Sequence, residues 1–585
     1  MVFFFEDSQG ARPLVRASRT DRYGVSFPDL AAFLLLAGAA VLVFHGASAM
    51  DQPLSQLRSA PVTLDLAQLP EYALRSTLRM FAALAASLVF TFTVATLAAK
   101  SRRAALLIIP ALDILQSVPV LGFLTFTVTL FMGLFPGNQL GAEAAAIFAI
   151  FTSQAWNMAF SFYQSLTTLP TDLDEVSRQF GFSPWRRFIR LELPYAMPGL
   201  VWNIMMSMSG GWFFVVASEA ITVGDTHLTL PGIGSWLALA IDRVDFRAVG
   251  WGVFAMGLVI LLYDQLLFRP VVAWADRFRF EQTASGQAPR SWVLDLLRRS
   301  RGLERLGQAL RQPFVWWEAR WPAAAPRRIR RPTPRKASPV ADLLWAGALG
   351  VACLFALWTL GHYVAAHLSF SDIGTAFGLG SLTLLRVVVL IALASLIWVP
   401  VGVWIGLHPV WAERLQPLAQ FLAAFPANVL FPFAVILIVG LHLNANLWLS
   451  PLMVLGTQWY ILFNVIAGAS AIPGDMKEVA QMFRIRGWQW WRQIALPAVF
   501  PYYVTGALTA SGGSWNASIV AEAVDWGHTH LEAAGLGAYI ARATAAADYP
   551  RVVLGIAVMS LFVIAFNRIV WRRLYVFAER RLRLN

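Results

Sequence analysis

Two glutamates open polar segments of nearly the same design: EVSRQFGFSPWRRFIRLELP, from Glu175 to Pro194, and EVAQMFRIRGWQWWRQIALP, from Glu478 to Pro497. Each places a carboxylate near the start of an Arg- and aromatic-rich stretch and leaves through Leu-Pro (Leu193–Pro194 and Leu496–Pro497) into an apolar run, where the proline is expected to end the surface helix and start the membrane helix. A charged helix between apolar runs is built to be held by another protein rather than to make or break bonds. Bond-making chemistry finds no support elsewhere: the chain has no H-E-x-x-H, no nucleophile and base at interpretable spacing, and no G-x-x-x-x-G-K-[ST] loop to cradle phosphates. His227 and His530 stand apart from any second His or Cys at metal-ligand spacing, so they read as structural residues of outer loops. No catalytic residues and no metal site are expected.

The second group of candidates is polar residues inside apolar runs, where such groups are costly and mark function by default. The first half offers Asp113, Gln116 and Ser117 ahead of Pro119, then Gln154, Trp156 and Asn157, then Asn203, Ser209, Trp212 and Glu219. In the second half the counterparts are Gln420, Pro426 and Asn428, then Gln458 and Trp459, then Ser511, Trp515, Asn516 and Glu522. Backbone broken near Pro119 and Pro426 would offer N–H groups to an anion. Trp212 and Trp515 suit packing or an aromatic wall. Glu219 and Glu522, close to the outer ends of their runs, either satisfy the start of the re-entrant THL…GIG segments or take part in gating or proton coupling. The SGG triplets at Ser209 and Ser511 lie within apolar runs and suit close helix packing.

The elements that must position these residues are membrane helices. With 585 residues, 58% hydrophobic and 14% charged, and a mean hydropathy of +0.59, the chain has too little polar surface for a soluble globule of its size. Apolar runs of the length that crosses about 30 Å of hydrocarbon fall at 30–44, 81–98, 106–135, 144–162, 205–223 and 249–272. A second set falls at 343–365, 387–407, 421–441, 447–467, 499–523 and 552–570, making about twelve predicted spans. The small-residue ending at Ala47–Ala49 fits signal-peptide cleavage, but the long basic region ahead of it favours a retained helix. The lone Cys353 excludes a disulfide within the chain.

Arginine and lysine cluster on alternate loops, as at Lys100, Arg102 and Arg103 and again at Arg178, Arg186, Arg187 and Arg190, whereas FPGNQLGAEA has none. The positive-inside rule places both termini and both Glu-led segments on the cytoplasmic side.

The halves repeat: LPTDLDEVSRQF pairs with IPGDMKEVAQMF, and THLTLPGIGSWLALA with THLEAAGLGAYIARA, at an offset near three hundred residues. An even number of spans per half keeps the repeats parallel. The expected organisation is a cytoplasmic tail (1–28), a first transmembrane domain (29–275), a linker (276–340) and a second transmembrane domain (341–585). In the linker, Val293, Leu296, Leu297, Leu303, Leu306, Leu310 and Phe314 recur near helical spacing opposite arginines, ahead of the Pro/Arg-rich PAAAPRRIRRPTPRK. That pattern suits an amphipathic helix on anionic lipid followed by an extended strap. Membrane lipid is the expected partner of the +13 net charge, and nucleic acid is not.

Glu175, Gly181, Leu193 and Pro194, with Glu478, Ala480, Leu496 and Pro497, resemble the EAA loops of permease subunits of bacterial ABC importers. The runs LQPLAQFLAAFPANVLF and LEAAGLGAYIARATAAADYPRVVLGI are similar to permeases of the nitrate, sulfonate, taurine and bicarbonate type, here duplicated in one chain. The resemblance implies an all-α integral membrane fold of two parallel six-helix repeats, of the type I importer kind, in an inner membrane. It implies two ATPase subunits gripping the loops at Glu175, Gly181, Arg186, Glu478 and Arg484, a periplasmic binding protein, and a small anion as cargo. ATP and Mg would sit on the partner subunits, and this chain would bind no cofactor. Arg484 stands where the first loop has Gly181; glycine there permits close backbone approach or a left-handed turn that arginine would not, so the second docking loop is expected either to be weaker or to face a different ATPase. Carboxylates are poor anion ligands, which counts against Glu219 and Glu522 as cargo contacts. The alternative is a gradient-driven transporter with parallel repeats; it would need charged pairs deep in the core, and apart from Asp113 and the two glutamates the runs hold few.

Overall fold

A computed structural model describes residues 27–581, apart from 51–61, 119, 224–225, 279–290, 301, 310–311, 313–338, 473 and 528. The N-terminal tail and the Pro/Arg-rich strap thus lie outside the described residues. The described chain is helical, apart from two short antiparallel hairpins at equivalent places, Ala220–Val223 with Thr226–Thr229 and Ala523–Trp526 with Thr529–Glu532.

Eight helices among the described residues are long and apolar enough to cross a membrane, nine if the bent pair Ala445–Leu455 and Gln458–Ser470 counts as one span. The sequence runs suggested about twelve. Of the four runs not among the eight, 144–162 is one unbroken helix, Leu140–Thr167, and the other three are broken. Residues 106–135 divide into Arg102–Ser117 and Val120–Leu134, and 421–441 into Pro409–Ala424, a 3-10 turn Ala427–Leu430, and Phe431–Gly440. Proline imposes each division, since it fixes φ and disfavours helix at the residue before it.

Two compact units emerge, and they do not follow the linear repeat. The smaller comprises the described residues within 1–46, 165–202 and 262–336. In it the linker forms not one amphipathic helix but an eight-residue helix, Trp292–Arg299, and a second over 302–309, separated at Ser300. Ser300 Oγ and the Gly302 N–H both donate to Asp29 Oδ1 at 2.8 Å, which ties this corner to the start of helix Phe27–Met50.

The larger unit comprises 47–164, 203–261 and 337–585 and holds parts of both repeats. Its centre packs Phe370–Leu407, Gln458–Ser470 and Leu496–Ala521 together. The apolar faces turned outward, such as Leu385, Leu393, Leu396 and Ile397 on Phe370–Leu407, are exposed because lipid is their solvent.

Candidate functional site

The Glu-led segments divide differently from the sequence expectation. In the first, a nine-residue helix Thr171–Gln179 ends in a turn, and helix then runs from Pro184 to Glu219, a stretch of 36 residues. The second has helix Gly474–Met482, a turn, and then Gly487–Ala521, 35 residues. Leu-Pro was expected to separate a surface helix from a membrane helix, but Pro194 and Pro497 lie inside continuous helical stretches. Five-residue π-helical turns, Phe188–Glu192 and Trp491–Ala495, precede them. A wider π turn accommodates a residue that lacks an N–H without ending the helix.

The turns themselves have one geometry. Gly181 has φ +65° and Arg484 has φ +52°, both left-handed. The Gly181 and Phe182 N–H groups donate to Arg178 and Ser177 carbonyls, and the Arg484 and Ile485 N–H groups donate to Gln481 and Ala480 carbonyls. This is the paired bonding that closes a helix C-terminus. The expectation that arginine could not take the glycine's place is therefore overturned: Arg484 adopts the turn, at the modest cost a Cβ incurs there, roughly 1 kcal/mol.

The loops do differ elsewhere. Asp174 pairs with Arg178 and Arg187 at 2.6 Å, and Arg187 with Glu192 at 3.0 Å, which braces the first turn. Lys477, Trp490 and Ala495 occupy the corresponding places in the second. Ser183 caps the Arg186 N–H at 3.3 Å, whereas Arg486 supplies no side-chain cap. Glu175 and Glu478 are both exposed at the helix surface and Ala480 is buried. Beside the glutamates both helices expose apolar residues at matching positions, Val176 with Phe180 and Val479 with Phe483, joined in the second by Met482. Exposed apolar groups clustered on an otherwise polar helix form a patch of the kind found at interaction surfaces.

In the larger unit, residues of both repeats enclose a cavity of about 150 Å³. Seven of the candidates come together on its wall: Gln116, Trp156, Asn157, Ser209, Pro426, Ser511 and Asn516. Sequence reasoning missed Ser153, Ser207, Phe213, Phe214, Thr457, Tyr460 and Asn567 there. The repeat offset would have found several, since Tyr460 is the counterpart of Asn157 and Phe213 that of Asn516. Asn516 Oδ1 accepts from the Val120 N–H at 2.8 Å, so this backbone donor at the first broken helix is used within the protein and is not open to an anion. A Cβ on Gly210 would stand 2.6 Å from the Tyr460 hydroxyl, so glycine makes room for a side chain of the other repeat.

The remaining candidates lie elsewhere. Trp212 and Trp515 are buried in the core, and Trp515 stacks on Phe562 with ring centroids 6.3 Å apart. Gln458 accepts from Trp398 Nε1 at 2.8 Å. Asn428 borders a second, wider cavity of about 590 Å³, together with Asp242, Phe431 and Asp525. Asp113 and Ser117 lie in a described helix, but their side chains are outside the described residues.

Glu219 and Glu522 form matching clamps, each with an arginine that the sequence reading passed over. Arg79 Nη1 meets Glu219 Oε1 at 2.7 Å, and its Nη2 meets Glu143 Oε1 at 2.7 Å. Ser76 Oγ donates to Glu219 at 2.6 Å and accepts from the Ile233 N–H at 2.9 Å, while the Gly234 N–H donates to Glu219 Oε2 at 2.6 Å. In the second half Arg386 Nη1 and Thr383 Oγ1 each donate to Glu522 Oε1 at 2.9 Å, and the Gly537 N–H donates to Oε2 at 2.7 Å. There Arg386 Nη2 donates to the Asn446 carbonyl at 3.3 Å, and Asn446 is the repeat counterpart of Glu143. The cores thus do hold charged pairs, contrary to the expectation that they were nearly absent. Each short helix, Ile233–Asp242 or Leu536–Ala545, has its first N–H satisfied by the clamp hydroxyl (Ser76 or Thr383) and its second by the glutamate, which matches the capping alternative. The arginines escaped notice because their spacing, 307 residues, departs from that of the glutamates, 303. Among the described residues no group of three His, Cys, Asp or Glu is arranged to hold a metal ion.

Comparison with known proteins places this geometry. Residues 87–269 and 398–584 each match the family model described as binding-protein-dependent transport system inner membrane component, over more than half of the chain in total. Among similar proteins, the bicarbonate transport system permease protein CmpB of Synechococcus elongatus is 32% identical over 142 residues, 24% of this chain and 50% of that protein. The glycine betaine/proline betaine transport system permease protein ProW of Escherichia coli is 30% identical over 168 residues, 29% of this chain and 43% of that protein. The nitrate import permease protein NrtB of a Synechocystis species is 28% identical over 156 residues, 26% of this chain and 55% of that protein. The chain spans about half the length of these curated relatives. Two matches to one family model, on an all-α multi-pass fold with twin loops and twin clamps, make this chain a duplicated ABC importer permease, a member of the binding-protein-dependent transport system inner membrane component family.

Proposed function

We propose that this permease carries a small anion inward across a bacterial inner membrane, driven by two separate ATPase subunits that grip its two Glu-led loops. Bicarbonate and nitrate permeases among the relatives support an anionic cargo. The observation that carries the reading is the pair of loops: each has a Glu at the same place on its helix, two exposed apolar side chains at matching positions, and the same left-handed turn. In the second half the helical stretch that starts at the loop, Gly487–Ala521, itself bears Ser511, Gly512 and Asn516 of the cavity wall. At 1.5 Å per residue that stretch is about 52 Å long, enough to join a cytoplasmic grip to the middle of a bilayer. When ATP closes the partner subunits, the loops draw together and their helices reshape the cavity. A periplasmic binding protein delivers the cargo at the opposite face. ATP and Mg belong to the partners, and this chain holds no cofactor. Basic loops keep both termini cytoplasmic, and the basic linker rests on anionic lipid.

The test is ATP hydrolysis in liposomes by the chain co-expressed with candidate ATPase subunits, compared with Glu175→Ala and Glu478→Ala. Hydrolysis that requires the chain and is uncoupled by each substitution is the expected result. If no ATPase co-purifies and neither substitution has an effect, the coupling assignment fails and a gradient-driven transporter with parallel repeats is the better account.

A further inference from the structure

The cavity wall is neutral. Among the described residues that line it there is no Asp, Glu, Lys, Arg or His. Its polar groups are amides and hydroxyls, and several are uncommitted. The side chains of Gln116, Asn157, Tyr460 and Asn567 make no hydrogen bond with other described residues, and Ser207 Oγ is buried without a partner among them. Buried polar groups such as Ser207 are ordinarily paired; the other four are half-buried on the cavity wall, and with no protein partner their polar groups are open to a ligand there. The rest of the wall is aromatic, with Trp156, Phe213 and Phe214 from the first repeat and Phe425, Phe431 and Phe566 from the second.

Size and charge narrow the ligand. A volume of about 150 Å³ is that of an engineered protein cavity that takes up benzene, and a nitrate or bicarbonate ion would leave most of it empty. Desolvation rises steeply with charge, so amides and hydroxyls without a cation suit one charge and not two. The wider cavity supplies no balancing cation either: its wall bears Asp242 and Asp525 and, among the described residues, no Lys, Arg or His, so it offers no alternative seat for an anion. Phe431 borders both cavities. Duplication within one chain also makes the wall unequal, since the other repeat has Tyr460 in place of Asn157 and Asn516 in place of Phe213. Such a wall fits a molecule with a polar end and an apolar end.

We propose that the cavity is a binding site for a singly charged organic acid, a carboxylate or sulfonate on a body about the size of a benzene ring, in preference to a small inorganic oxyanion. The proposal rests on the anion-importer reading for the direction of transport but not for the binding itself. Amides and hydroxyls of Gln116, Asn157, Tyr460 and Asn567 donate to the acid group, and the aromatic side chains cover its body.

Titration calorimetry on the purified full chain in detergent tests it, with benzoate and benzenesulfonate as probes and nitrate, bicarbonate and sulfate as comparisons at constant ionic strength. Saturable heats for the two aromatic probes are expected, weakened about tenfold or more in Asn157→Ala and in Tyr460→Phe, as loss of a hydrogen bond to a charged group implies. Tyr460→Phe removes only an oxygen, so it guards against misfolding in the other variant. Stronger binding of nitrate or bicarbonate, or aromatic binding that neither substitution weakens, overturns the proposal. If neither probe binds while Glu175→Ala still uncouples hydrolysis, this proposal fails and the importer reading stands. If the probes bind and Tyr460→Phe weakens them while no ATPase couples, the site stands and the importer reading falls.

Discussion

Replacing Arg79 with methionine keeps most of the side-chain volume and removes the charge that balances two buried carboxylates in its clamp. The side chains of Arg79 and Glu219 are 0% exposed and that of Glu143 is 2% exposed, so water cannot stand in for the guanidinium. Breaking one buried pair by removing a partner costs about 3–5 kcal/mol, and here two carboxylates lose the same partner. Against a total stability of about 5–15 kcal/mol for a typical domain, Arg79→Met is expected to lower the unfolding midpoint severely. Arg386→Met is milder: it strands one carboxylate, Arg386 is already 14% exposed, and Thr383 and the Gly537 N–H still donate to Glu522. The triple variant Arg79→Met, Glu143→Gln, Glu219→Gln removes all three charges and should recover most of the loss, because at position 219 the amide oxygen can still accept from the Gly234 N–H while the new NH2 group can donate to Ser76 Oγ. Thermal unfolding and monodispersity in detergent give the order. Wild type and triple variant should stand highest, Arg386→Met below them, and Arg79→Met lowest. An Arg79→Met protein as stable as Arg386→Met, or within about 1 kcal/mol of wild type, would falsify the view that the first clamp is a charge-balanced brace.

Gly181→Arg is expected to keep ATPase coupling, since Arg484 makes the same left-handed turn in the second loop, at a stability cost of roughly 1 kcal/mol; a loss of coupled hydrolysis beyond about tenfold would show that the two turns are not equivalent. Gly210→Ala puts a methyl group against the Tyr460 hydroxyl and should weaken benzoate binding while costing only about 1–3 kcal/mol, the usual range for overpacking. Calorimetry and thermal unfolding of the same preparation separate these two effects, and unchanged binding would place the Tyr460 hydroxyl outside the site.

Much of the protein was legible from composition and spacing. Bilayer thickness sets a minimum apolar length, so the membrane helices could be read from hydropathy, and repetition at a nearly constant offset revealed the duplication before any contact was known. Local rules also carried the two Glu-led loops, because a polar helix closed by a turn and followed by an apolar stretch is defined by residues close together in the chain. Those rules failed where a neighbouring stretch decided the outcome. Pro194 and Pro497 suggested breaks, but the π turns ahead of them kept the helices continuous. Arg484 suggested a different turn, yet the hydrogen bonds of Ile485 and its own N–H closed the same one.

Tertiary structure alone decided which polar residues face one another. Nothing in the spacing of Arg79, Glu143 and Glu219 joins them, because they come from three helices separated by up to 140 residues. The cavity is a similar case: Asn157 and Tyr460 are related by the repeat in sequence, but only the packing of the two repeats puts both on one wall with Phe213 and Asn516. Hydropathy is a property of each stretch by itself and is written along the chain. The pairing of charges and the shape of a cavity depend on the helices that enclose them, and those are chosen by folding.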